Sequence, residues 1–246
     1  MPATPAWPPK SLPRLYVDAP MDAGVAVPLD KAQAHYVVTV MRRQVGDALL
    51  VFNGREGEWR GEIVDIGKKR AMLQLAERTK EQEALTGVTL AFAPIKKGPI
   101  DVLVEKAVEL GVEMLQPVLT QRTNAARIGA ERMEKTIIEA AEQCGRTALA
   151  TLHAPVRLEK WLASREPTPL YFADENGGAD ALATYTPPPA TILVGPEGGF
   201  TDEEREMVRA APNTVAISLG PRILRAETAA LAAIATYMAR AGDWRS

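Results

Sequence analysis

Two stretches near the C-terminal end decide the fold: GPEGGF at 195–200, running into TDEE at 201–204, and LGPRILRAET at 219–228. Each follows an apolar run, ATILVG at 190–195 and TVAISL at 214–219, and helices are expected to start near Thr201 and Ile223. Apolar strand, tight loop and helix, repeated, is the pattern of a parallel sheet covered on both faces. In such sheets ligands bind beyond the carboxyl ends of the strands, which points to the loops after Asp174, Val194 and Leu219. The glycines of the first loop let its backbone approach a ligand closely. Thr201 and Glu204 have capping-box spacing and start a helix directly behind it. That helix opens with Asp202, Glu203 and Glu204, which suit the helix dipole and repel a phosphate. The loop also lacks the Gly-Lys-Ser/Thr ending of a P-loop and the G-x-G-x-x-G spacing of a dinucleotide fold. A neutral or cationic ligand fits better. In the second loop Arg222, Arg225 and Glu227 crowd the mouth of the cleft. The small-residue run TAALAAIA at 228–235 then permits close approach to a ligand or to another helix.

Upstream, the same rhythm holds. VTLAFAPI (88–95), MLQPVLT (114–120) and LYFAD (170–174) read as strands, with helices over about 100–110 and 129–146. The polar stretch ERTKEQEALTG (77–87) reads as a linker. Before it lie short β segments: RLYV (14–17), ALLVFN (48–53), EWRGEIVDI (58–66) and RAMLQLAE (70–77). Asn53-Gly54 and Gly67-Lys68 stand where hairpin turns are expected, and 29–41 reads as a short helix with Asp30 as N-cap. This is a mostly antiparallel, barrel-like module. The first thirteen residues hold five prolines and read as an extended leader.

Composition narrows the class. With 46% apolar and 24% charged residues the chain has ample material for a core. No apolar run approaches the roughly 20 residues that span a bilayer, and MPATPAWPPK has no secretory pattern. A single cysteine, Cys144, and two histidines exclude a disulfide framework and argue against a zinc cluster, so no metal is expected and the cytoplasm is the expected compartment. The net charge is −2, yet residues 1–80 carry 12 Lys+Arg against 9 Asp+Glu. The direction of that asymmetry suits an N-terminal domain that touches phosphates.

The pair G-P-E-G-G and L-G-P-R-I-L-R-x-E-T-A resembles the knotted methyltransferases of the SPOUT superfamily, and within it the RsmE family. Further matches are R-L-Y-V, H-Y-V-V-T-V-M-R-R (35–43), K-K-G…E-K-A-V-E-L-G-V (96–112), P-V-L-T-Q-R (117–122) and E-A-A-E-Q-C-G-R (139–146). The resemblance spans nearly the whole chain from Arg14. It implies an α/β protein with an N-terminal PUA-like small β-barrel at 14–78, for RNA docking. It further implies a C-terminal SPOUT-type α/β domain at 86–246, with a deep trefoil knot and a mostly parallel sheet. The implied activity is S-adenosylmethionine-dependent methylation of N3 of a uridine in small-subunit (16S) ribosomal RNA, by a homodimer. The cofactor, cationic and without phosphate, agrees with the ligand read from the loops. Residues implied to hold it are Phe172, Val194, Gly195, Pro196, Gly198, Gly199, Ser218, Leu219, Gly220, Arg222, Ile223, Leu224 and Thr228. Arg225 is the first candidate to stabilise the deprotonated base, and Glu197 or Glu227 to take the N3 proton, with hydroxide as the alternative. Arg14, Arg42, Arg43, Lys97, Arg122 and Arg146 are the expected RNA contacts. A dimer would use the apolar faces of the 129–146 and 223–240 helices.

Three other functions compete. A ribose 2′-O-methyltransferase of the same superfamily would share knot and cofactor and attack a hydroxyl. A non-catalytic RNA clamp would have no need of intact GPEGG and LGPRILR loops. A small-molecule enzyme would leave the N-terminal barrel without a task.

Overall fold

The strands assemble into two sheets, one largely antiparallel and one parallel throughout. The structure, a computed structural model, describes residues 12–96, 98–123 and 129–245. These form two units, one made of the residues up to Ala84 with Glu142–Ala148, the other of Leu85–Ala141 with Leu149 onward. The first eleven residues of the expected leader and Lys97 lie outside the described residues.

In the first unit β1 (Arg14–Tyr16), β2 (Ala26–Leu29), β3 (Ala48–Phe52), β4 (Glu58–Gly67) and β5 (Arg70–Lys80) pair in the order β1-β3-β4-β5-β2. Only the β1–β3 pairing is parallel. Alternate residues such as Leu49, Val51, Ile63, Leu73 and Leu75 point into a core closed by Ala34 and Val37. Ala34 belongs to α1 (Lys31–His35), which runs on as a π-helical turn over Tyr36–Val40. Asp30 caps α1 as expected: its carboxylate accepts from the Gln33 N–H, and the Gln33 side chain accepts from the Asp30 N–H. The turn at Asn53-Gly54 is wider than a two-residue hairpin. Five residues separate β3 from β4, because the Asn53 side chain accepts from the N–H groups of Arg55 and Glu56 and builds a longer loop.

Two expected RNA contacts are corrected by this unit. Arg14, its side chain only 10% exposed, donates to buried Glu58 at 2.5 Å and to the carbonyls of Glu142 and Arg146 at 2.9 Å each. Arg146 is equally buried and donates to Glu83 at 2.9 Å. Both guanidinium groups are held inside the unit, where they satisfy carbonyls and carboxylates cut off from water.

The second unit holds β6 (Val88–Phe92), β7 (Met114–Leu119), β8 (Thr151–Leu152), β9 (Val156–Arg157), β10 (Leu170–Ala173), β11 (Ala179–Asp180), β12 (Ala190–Val194) and β13 (Thr214–Ser218). The order is β11-β13-β10-β12-β6-β7-β8, with β9 also on β7, and every pairing among the described residues is parallel. Its helices are α2 (Pro99–Glu109), α3 (Ala130–Cys144), α4 (Leu158–Ser164), α5 (Ala181–Thr184), α6 (Asp202–Ala210) and α7 (Ala226–Arg240). Helices α2 and α5 pack against α7, which lies on β10, β12 and β6, whereas α4 packs against α6. All five residues of β12 are buried, which explains its unbroken apolar run. Because β10 lies between β12 and β13, the three chain segments leaving these strands emerge side by side. Helix α7 starts at Ala226 and not near Ile223: Arg225 has extended backbone angles, and Ile223 is 90% exposed in the loop before it.

Behind the first glycine loop Phe200, 2% exposed, packs edge-on to Phe172 at 5.1 Å in a cluster with Leu158, Trp161 and Val208. Removing a ring so enclosed costs about 3–5 kcal/mol. Chemical unfolding of Phe200→Ala is expected to show a loss of that size; an unchanged midpoint would mean that the loop does not depend on this ring.

Candidate functional site

The loops that leave β10, β12 and β13 enclose a cavity of about 630 Å³ lined by Ala173–Gly177, Val194–Gly199, Ile217–Ala226 and Ala229. That size is ordinary for a small-ligand site, and its place beyond the strands' carboxyl ends is the one such sheets favour. Two glycines make the middle loop possible. A Cβ on Gly195 would stand 2.6 Å from the Phe200 ring, and Gly199 has φ +67° with the Glu175 carboxylate where its Cβ would be. A side chain at either position is therefore costly.

Helix α6 secures the loop after β10. The Asp174 carboxylate is fully buried and accepts from Arg209 Nε at 3.0 Å and Nη2 at 2.7 Å. Arg209 also donates to the Gly177 carbonyl at 3.0 Å, and Arg205 donates to Glu175 at 2.8 Å. Spaced four apart, the two arginines share one helix face. Glu204, also buried, accepts from the Gln121 N–H at 2.7 Å and the Thr201 N–H at 3.1 Å. The Thr201 side chain accepts in turn from the Glu204 N–H, completing the expected capping box. Arg122 donates to the carbonyls of Gly198 at 2.9 Å and Phe200 at 3.3 Å.

The charges on the two sides of the cavity differ. Asp174 and Glu175 are matched by Arg205 and Arg209 behind them. Arg222, Arg225 and Glu197, in contrast, line the cavity without an ion-pair partner among the described residues. The Glu203 carboxyl is held below the usual glutamate range, chiefly by its own backbone N–H, then by Thr201, with Arg122 nearby. A helix entrance so charged disfavours an anion at the loop.

Most of the expected cofactor residues line this cavity: Val194, Gly195, Pro196, Gly198, Gly199, Ser218, Leu219, Gly220, Arg222, Ile223 and Leu224, together with Glu197 and Arg225. Three expected site residues do not. Phe172 is buried in the core against Phe200, because its side of β10 faces α4 and α6. Glu227 and Thr228 lie in the first turn of α7 outside the lining, and Glu227 pairs with neither Arg222 nor Arg225. The sequence points to the loop after Asp174 without naming ligand contacts in it; residues 173–177 line the cavity, as do Ile217, Pro221, Ala226 and Ala229, which the sequence did not single out. The turn-forming DENGG at 174–178 and the arginines four apart on α6 were the available signals.

A second cavity of about 410 Å³, lined by Lys96, Gln121, Arg122, Thr123, Glu197 and Gly198, shares the last two residues with the first. In the first unit Arg42 is exposed with φ 55°, and Arg43 is partly buried. Among the described residues no group of His, Cys, Asp and Glu could hold a metal ion, and no helix is long and apolar enough to cross a membrane.

A mostly antiparallel unit and a parallel α/β unit with a small-ligand cavity at its strand ends make up the two-domain composition of an RNA methyltransferase. The family model for an RNA methyltransferase domain matches residues 81–238, and that for an RNA methyltransferase PUA domain matches 29–75. Ribosomal RNA small subunit methyltransferase E of Rickettsia conorii is 35% identical over 227 residues, covering 90% of this chain and 93% of that protein. Its namesake from Synechocystis is 34% identical over 232 residues, covering 90% and 76%. The crystal structure of ribosomal RNA small subunit methyltransferase E from Neisseria gonorrhoeae bound to S-adenosyl methionine superimposes with TM-score 0.86. It is 28% identical and covers 95% of this chain and 100% of that one. The chain belongs to the ribosomal RNA small subunit methyltransferase E family.

The ion pairs separate two kinds of carboxylate at this site. Asp174→Ala removes the buried carboxylate that Arg205 and Arg209 share, leaving Arg205 with Glu175 alone, and is expected to cost about 3 kcal/mol in unfolding free energy. Glu197→Gln touches no partner and is expected to stay within about 0.5 kcal/mol of the parent. Equal losses in the two variants would refute the distinction.

Proposed function

We propose that this protein transfers a methyl group from S-adenosylmethionine to N3 of a uridine in small-subunit ribosomal RNA. The observation that carries the reading is the cavity at the ends of β10, β12 and β13, walled by glycine- and proline-rich backbone with two unpaired arginines at one side. The residues fit the cofactor: main-chain groups of 194–199 and 218–224 can hold an adenosine, and a ligand without phosphate suits a loop backed by the acidic first turn of α6. Bound there, S-adenosylmethionine supplies an electrophilic methyl group on a positive sulfur. The relatives' names and the cofactor in the Neisseria structure support the same reading.

The chain's own residues then do two things. Arg225, and Arg222 beside it, offset the negative charge that spreads over a deprotonated uracil. Glu197 accepts the N3 proton; Glu227 is less suited because it lies outside the cavity lining. The unit at 14–78 docks RNA through Arg42 and Arg43, while 86–246 binds the cofactor and the target base. Arg122 serves both, as a loop anchor and as an RNA contact. The segments after β12 and β13, leaving on either side of β10, are the parts from which a trefoil knot would be drawn. Two copies, joined through α3 and α7, form the working enzyme in the cytoplasm.

The deciding experiment is transfer of label from S-adenosylmethionine to small ribosomal subunits from a strain lacking the protein, followed by nucleoside mass spectrometry. Labelled 3-methyluridine is the expected product; a 2′-O-methyl nucleoside would move the protein to the ribose-modifying branch, and no labelled nucleoside would refute the reading. Arg225→Ala is expected to lower the rate by about 10²-fold or more. A rate within a few-fold of the parent would remove Arg225 from the mechanism.

A further inference from the structure

We propose that the smaller cavity, walled by Lys96, Gln121, Arg122, Thr123, Glu197 and Gly198, receives the target base as a flipped-out pyrimidine carrying a proton on N3. This rests on the methyl-transfer reading and locates its second substrate. Transfer between two bound molecules needs adjoining sites with a common boundary. Glu197 and Gly198 line both cavities, and no other described residue does. Glu227 lines neither.

Among the described residues the smaller cavity is lined by four polar or charged side chains besides Thr123 and Gly198 and by no aromatic ring, so hydrogen bonds rather than stacking select its occupant. Its volume lies within the range of small-molecule sites, about 300–1,000 Å³. Uracil presents an N3–H flanked by two carbonyl oxygens. Glu197 supplies the carboxylate acceptor, and the Lys96 ammonium, the Gln121 amide NH2 and the Arg122 guanidinium supply donors. Cytosine, with a lone pair at N3, would set that pair against the Glu197 carboxylate. Neither adenine nor guanine presents an N–H between two carbonyl oxygens.

The wall is fixed before any ligand arrives. Arg122 spends Nη1 on the Gly198 and Phe200 carbonyls, and no bond within the described chain engages its Nη2. Thr123 is held by Thr120, whose N–H donates to its hydroxyl at 2.9 Å. The Gln121 backbone is tied to Glu204, while its side chain is exposed. Lys96 is exposed at the rim, placed for the phosphate of the flipped nucleotide. Base flipping is the usual entry for a target atom buried in nucleic acid.

Direct ultraviolet cross-linking tests the placement without relying on activity. The protein is irradiated in complex with small ribosomal subunits from a strain lacking it, and the joined peptides are mapped. The methylatable uridine is expected on residues 120–123 or 196–198. Its absence from 120–123 and 196–198, with the uridine joined instead to 173–177 or to the first unit, would overturn the proposal. Gln121→Trp fills the cavity from its exposed side. Its affinity for S-adenosylmethionine by calorimetry should stay within about threefold, while methyl transfer falls by about 10²-fold or more. Unchanged transfer would overturn the proposal. Glu197→Gln should keep cofactor and subunit binding, and its residual rate should climb with pH as hydroxide replaces the carboxylate. A parent-like rate would overturn the role of Glu197. Should the unmodified protein bind no S-adenosylmethionine, the underlying methyl-transfer reading fails, a result visible before any variant is made.

Discussion

The carboxylate of Glu204 joins two loops that no strand pairing joins. A chain that leaves a parallel strand and bends through glycines carries N–H and C=O groups beyond the last ladder bond. Each such group left unpaired below the surface costs about 1–3 kcal/mol. Glu204 meets that demand at Gln121 and Thr201, Arg122 at Gly198 and Phe200, and Arg209 at Gly177. The cavity therefore has its shape from internal bonds, and a ligand entering it need not spend binding energy on ordering the walls.

The arginines around the cavity fall into two populations. Arg205 and Arg209 lie behind the wall and cancel Asp174 and Glu175. Arg222 and Arg225 lie on the wall and have nothing to cancel. Placing a carboxylate opposite the second pair would have neutralised the field that a developing anion needs. The protein keeps Glu197 across the loop and Glu227 in the first turn of α7, neither paired with them.

Much of this was legible in the sequence, for reasons that are local. The apolar runs at 88–95, 114–120 and 190–195 mark strands buried on both faces, and the capping residues Asp30 and Thr201 act within three residues of themselves. What escaped is what depends on distant neighbours. Strands β2, β8, β9 and β11 and helices α4 and α5 are short, and partners rather than periodicity define them. Exposed arginine and buried arginine look alike in sequence, so Arg14 and Arg146 were read as RNA contacts although Glu58 and Glu83 hold them inside. The start of α7 was placed too early because RILR has good helix formers, yet the loop stays extended to Arg225. The sequence places the loop after Asp174 at a strand end, yet the bonds that order 174–177 come from α6, thirty residues on.

The first unit is not continuous in sequence. Its β-sheet is complete by Lys80, yet Arg14 donates to carbonyls at Glu142 and Arg146, 128 and 132 residues further along. During synthesis, at about 5–20 residues per second, the nascent sheet must wait several seconds for those acceptors to leave the ribosome. Until then the Arg14 and Glu58 pair lacks part of its surroundings. A fragment cut at the linker would keep that incomplete state permanently, so the first unit is completed only when the chain has reached Ala148 and is not a bead that folds first.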